Sequence, residues 1–102
     1  MHKIFILGTA GQYTKTPVGS LCADKADELT ENECKKATTR LGLQWGTSWD
    51  GPNHFPACLY ADDGRNKVYF NSSPNPSRTN VNQKYSAICK ANGKKNCFLI
   101  LL

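Results

Sequence analysis

A chain of 102 residues with 13 Lys/Arg against 8 Asp/Glu, a net charge of +5 and 39% hydrophobic residues makes one small domain with a modest core. Mean hydropathy is −0.52, and no apolar run approaches the length needed to span a membrane. Five cysteines, at 22, 34, 58, 89 and 97, form no Cys-x-x-Cys pair, which argues against a zinc site and for disulfides in an oxidising compartment.

The first residues, Met1-His2-Lys3 and then Ile4-Phe5-Ile6-Leu7, look like the start of a secretory signal. Their apolar run is shorter than the 7–15 residues typical of one. Residues 1–18 are therefore read as an N-terminal segment, either a partial signal or an edge strand, ahead of a module spanning 19–90.

Within that module, Leu29-Thr30-Glu31-Asn32-Glu33-Cys34 is the clearest local signal. Thr30 and Glu33 have capping-box spacing, and Leu29 and Cys34 occupy the two positions of a hydrophobic staple. Acids in the first turn and Lys35, Lys36 and Arg40 beyond it suit the helix dipole. Gly42 supplies a left-handed stop. These signals predict a helix over 31–40, with a thin stripe of Cys34, Ala37 and Leu41 and with Thr38 beside it.

The segment 43–53 carries Trp45 and Trp49 among Gly, Ser, Thr, Asp and Asn without helical period, and reads as an irregular loop with a short strand at 43–45. Strands at 57–61 and 67–71 flank Asp62-Asp63-Gly64-Arg65-Asn66 as a hairpin, Gly64 taking a positive φ. Cys58 and Tyr60 should share one side, and Val68 and Phe70 one side of the partner strand. Residues 72–84, with Val81 as their one aliphatic, make a long loop of the kind that is often functional. Tyr85–Lys90 alternates as a further strand pairing with the hairpin. Residues 91–102 form a basic and then apolar tail.

The expected fold is α+β, one short helix on a three- or four-stranded antiparallel sheet. In this layout Cys34 on the helix reaches Cys58 on the hairpin, and Cys22 reaches Cys89 on the last strand. Four cysteines allow three pairings, and sequence alone leaves the other two open. Cys97 is left over as a free thiol or the link of a disulfide-bonded dimer.

Taken together, Thr30-x-x-Glu33-Cys34-x-x-Ala37, Pro56-Ala57-Cys58-Leu59-Tyr60, Val68-Tyr69-Phe70-Asn71 and Ile88-Cys89-Lys90 resemble a small Cys-containing module of secreted and membrane-anchored proteins of marine invertebrates and protists. The resemblance covers residues 20–90. It implies an extracellular address and carries no established activity and no catalytic residues.

Charge is segregated along the chain. All eight acids lie at or before Asp63, and from Gly64 onward there are seven Lys/Arg and no acid. A basic C-terminal half suits sulfated glycans or other polyanions; an extracellular setting disfavours nucleic acid. The residues expected to meet a ligand are Trp45, Trp49 and Asn53 in the aromatic loop, with Arg65, Lys67 and Arg78. Indole faces stack on sugar rings and amides bond hydroxyls; Tyr60 and Tyr69 extend the same surface. Asn71-Ser72-Ser73 is a glycosylation sequon.

Catalytic material is scarce. His2 lies in a tail, His54 has no partner fixed by spacing, and no serine stands in Gly-x-Ser-x-Gly. No cofactor or metal is implied, since Asp50, Asp62 and Asp63 lack a calcium-loop spacing. The sequence points to a non-catalytic extracellular module that binds a glycan or a protein surface. Its rival is a secreted cationic effector, a toxin or antimicrobial polypeptide.

Overall fold

A computed structural model describes residues 12–79 and 84–91; the first residues, Val81, Cys97 and the C-terminal tail lie outside the described residues. The chain forms one helix and one five-stranded mixed sheet, joined by disulfides Cys34–Cys58 and Cys22–Cys89. Strands β1 (Tyr13–Lys15), β2 (Gln44–Trp49), β3 (Ala57–Ala61), β4 (Lys67–Asn71) and β5 (Tyr85–Lys90) are ordered β1-β5-β3-β4-β2. Helix α1 spans Glu31–Arg40, and a 3-10 turn, Lys25–Asp27, precedes it.

Helix α1 begins where its cap residues require. Thr30 Oγ1 accepts from the Glu33 N–H, and a Glu33 carboxylate oxygen accepts from the Thr30 N–H at 2.8 Å. Gly42, at φ 72°, then lets the backbone turn back. Leu29, Cys34 and Ala37 are buried against Cys58, Tyr60, Val68 and Ile88 of the sheet. Leu41, expected on the helix stripe, caps the helix and stays exposed. Leu43, after the turn, packs in its stead.

The hairpin β3–β4 has the expected register, with Cys58 opposite Phe70 and Tyr60 opposite Val68. Strand β5 pairs antiparallel with β3. Three features depart from expectation. β1 lies within the segment assigned outside the module, yet pairs antiparallel with β5, Thr14 opposite Cys89. The segment read as an irregular loop with a short strand at 43–45 contains the longer β2, whose neighbour β4 runs parallel to it, so the sheet is mixed. A parallel partner needs no adjacent turn to announce it, so local signals miss it.

The third departure is a bulge in β2. Trp45 stands opposite Val68 and Ser48 opposite Phe70: three steps along β2 match two along β4. Side chains alternate with a period of two, so the extra residue turns the rest of the strand over to the other face.

The sheet is consequently covered on both faces. Helix α1 covers one, whose cluster contains the Cys34–Cys58 bridge. On the other, Phe55, Leu59, Ala61, Tyr85, Ala87 and Cys89 are covered by Leu21, Cys22, Trp49 and Tyr69, with the Cys22–Cys89 bridge among them. Each cluster thus has its own covalent tie.

Candidate functional site

The bulge in β2 separates the two tryptophans. Trp45 packs against the helix-side cluster, with the Lys35 ammonium 5.5 Å from its ring. Trp49 lies on the opposite face, packed on the second cluster. They cannot form one stacking platform. Tyr60 is also removed from the expected surface: it is buried on the helix side, its hydroxyl donates to Asn66 Oδ1, and Lys15 covers its ring at 4.3 Å.

Around Trp49 a different aromatic group assembles. Its ring centroid is 5.6 Å from that of His54, 6.1 Å from Tyr69 and 6.1 Å from Tyr85, spacings at which edge-to-face and tilted contacts are favourable. His54 also meets Tyr85 edge-on at 5.7 Å. Gly46 is required beside this group, because a Cβ there would collide with the Tyr69 ring. Arg65, from the hairpin turn, lays its guanidinium 5.3 Å from the Tyr69 ring and 5.6 Å from the Tyr85 ring. The result is an aromatic face crossed by one cation, with Trp49, His54 and Tyr69 partly exposed and Tyr85 buried beneath them.

Asp63 positions that cation. It accepts from Arg65 Nε at 3.0 Å and Nη2 at 2.8 Å, a two-point pairing that fixes the guanidinium plane. The same bonds hold the Asp63 carboxyl down at about 2 and keep Arg65 more firmly protonated than usual.

His54 stands edge-on to both Trp49 and Tyr85. Its Nδ1 is buried with no hydrogen-bond partner, so no carboxylate orients it there, and neither Asp50 nor Asp62 completes a dyad on that nitrogen. Among the described residues no three His, Cys, Asp or Glu side chains gather as a metal site.

The turn that carries the face is built on Asn71. Its Oδ1 accepts from the N–H groups of Gly51 and Ser73, at 2.9 and 3.0 Å. Its Nδ2 donates to the carbonyls of Gly51 (2.8 Å), Phe55 (2.8 Å) and His54 (3.3 Å). The residue is only 3% exposed. The nitrogen on which the sequon would place an N-linked sugar is buried among three carbonyl oxygens, where it clamps the turn.

The remaining expected residues scatter. Asn53 is exposed in the turn between Trp49 and His54, and Lys67 is exposed at the end of β4, opposite Ala61 and Gln44. Arg78 lies elsewhere, bonded to Glu28 at 2.7 and 2.9 Å. The basic half also loses much of its charge in three dimensions. Arg65 pairs with its neighbour Asp63, while Arg78 and Lys90 pair with Glu28 and Glu33 from early in the chain.

Arg78 instead borders a groove of about 470 Å³ lined by Lys25, Glu28, Pro56, Ala57, Phe70, Ser73, Pro74, Asn75, Pro76 and Arg78. Sequence reading picked out Arg78 there but not the groove, since its walls come from the 3-10 turn, β3, β4 and the 73–78 loop. Tyr85 was likewise missed at the aromatic face. Strand alternation does not give the register, and it is the pairing of Tyr85 with Ala61 that brings it to the face of Tyr69.

Among the described residues, no helix is long and apolar enough to cross a membrane. No family model, curated protein or solved structure matches this chain.

Proposed function

We propose that this protein is a non-catalytic recognition module acting outside the cell, and that it binds a glycan or protein surface through the face formed by Trp49, Tyr69, Tyr85 and Arg65. The observation that carries the reading is the guanidinium held over two tyrosine rings beside a partly exposed indole. Flat rings supply apolar contact at little entropic cost, and a guanidinium fixed in advance supplies a directional donor; such combinations anchor binding surfaces. Two intramolecular disulfides support the extracellular address, as does the resemblance to secreted modules. Neutralisation of Arg65, Arg78 and Lys90 by acids weighs against the cationic effector, whose action depends on unpaired positive charge.

The test is binding of oxidised, refolded protein to a glycan array and to a heparin column, next to the Arg65→Ala variant and a charge-matched control protein. Retention that falls with Arg65→Ala supports the reading. Retention equal to that of the control, unchanged by the substitution, removes it.

A further inference from the structure

The groove beside Arg78 has a specific structural origin. Strands β3 and β5 pair at Ala61–Tyr85, Tyr60–Ser86 and Leu59–Ala87. Continued for two more residues, this register would place Ala57 opposite Cys89. It is Glu28 that stands opposite Cys89, in an isolated bridge. Ala57 meanwhile stays paired with Asn71 of β4, at φ 67°. A left-handed conformation is strained in a residue with a Cβ. That strain sits where β3 parts from β5, and both Ala57 and Glu28 line the groove.

The lining is organised by charge. Glu28 is spanned by both terminal nitrogens of Arg78, so its carboxylate is neutralised and the 73–78 loop is tied to the 3-10 turn. Lys25, also at the rim, makes no ion pair among the described residues and is exposed. The groove therefore presents one uncompensated cation. Pro56, Pro74, Pro76 and Phe70 give it flat C–H surfaces, and Ser73 and Asn75 give it a hydroxyl and an amide. A ligand that fits has a flat apolar face, hydroxyls on its edge and one carboxylate. Its size must suit a cavity within the range of small-ligand sites.

We propose that this groove is a second binding site, separate from the aromatic face, and that it takes an acidic sugar, a uronate-type ring whose carboxylate meets Lys25 while its ring rests on the proline and Phe70 walls. The assignment does not depend on the aromatic face, and the two are tested apart.

The matched probes are methyl β-D-glucuronide and methyl β-D-glucoside, which differ only in the carboxylate. Each is titrated into the oxidised full chain while amide nitrogen–hydrogen correlation spectra are recorded. Saturable shifts at Lys25, Ser73 and Asn75 are expected with the glucuronide, and binding of the glucoside is expected to be about tenfold weaker. Lys25→Glu should abolish the glucuronide response and leave the remaining spectrum in place, while Arg65→Ala should leave the response intact. Absence of saturable shifts overturns the proposal. So does equal binding of the two glycosides, an equal response to N-acetylglutamate amide, or a response that disappears with Arg65→Ala.

Discussion

The side-chain amide of Asn71 organises the turn on which the aromatic face rests. One oxygen accepts from two backbone N–H groups and one nitrogen serves three carbonyls, all in a residue almost without solvent contact. Asn71→Asp keeps the shape but points a carboxylate oxygen at those carbonyls, and buries a charge with no cation beside it among the described contacts. The expected cost is roughly 3–5 kcal/mol, larger than that of Asn71→Ala, and denaturant unfolding of the oxidised variants measures both. Peptide mapping of natively produced protein should find Asn71 without sugar. Such a role is invisible in the triplet Asn-Ser-Ser, because what distinguishes a clamp from a sugar acceptor is burial, and burial here is decided by residues 16–20 positions away.

Helix α1 shows what local chemistry can specify. Its bounds, capping box and staple are set by side chains three to five residues apart, and Thr30→Ala should cost about 1 kcal/mol. The Glu33 carboxyl is held below its ordinary value of 4.5, first by the Thr30 N–H it accepts from and then by the Lys90 charge. A carboxyl with a depressed folded value contributes stability above the unfolded value, and that contribution fades as pH falls through the folded one. Stability of the parent protein should therefore exceed that of Glu33→Gln above pH 4.5, and the gap should close in stronger acid; thermal unfolding against pH checks this. The hairpin and β5 were equally legible, from alternation and a Gly-containing turn. Strand β1, only three residues long, and the parallel strand β2 were not, because long-range partners define them. Placement of the tryptophans failed for a sharper reason: one extra residue between Trp45 and Ser48 reverses the face of Trp49, and no local spacing encodes it. The charge segregation misled in the same way, since Arg78 finds its acid 50 residues earlier.

At the scale of the molecule, a sheet covered on both faces by one short helix and by turns has few apolar side chains with which to hold either cover. The two bridges meet that need one face at a time. Cys34–Cys58 closes a separation of 24 residues and Cys22–Cys89 one of 67. In the loop-entropy account each contributes roughly 3–4 kcal/mol, the longer loop somewhat more. Replacing Cys34 and Cys58 together by Ala adds a cavity penalty, because both sulfurs are buried in the helix-side cluster. Chemical unfolding should find both paired variants severely destabilised. Loss of Cys22–Cys89 should release β1 first, seen as faster amide exchange at residues 13–15.

The outermost pairing of the sheet has an architectural consequence. Ala91 donates its N–H to the Gln12 carbonyl at 3.2 Å, so the first and the last of the described strands stand side by side. A pull that drew these two strands apart would load the Cys22–Cys89 link as well as the hydrogen bonds between them, so the edge of the sheet is held by a covalent bond and not by its ladder alone.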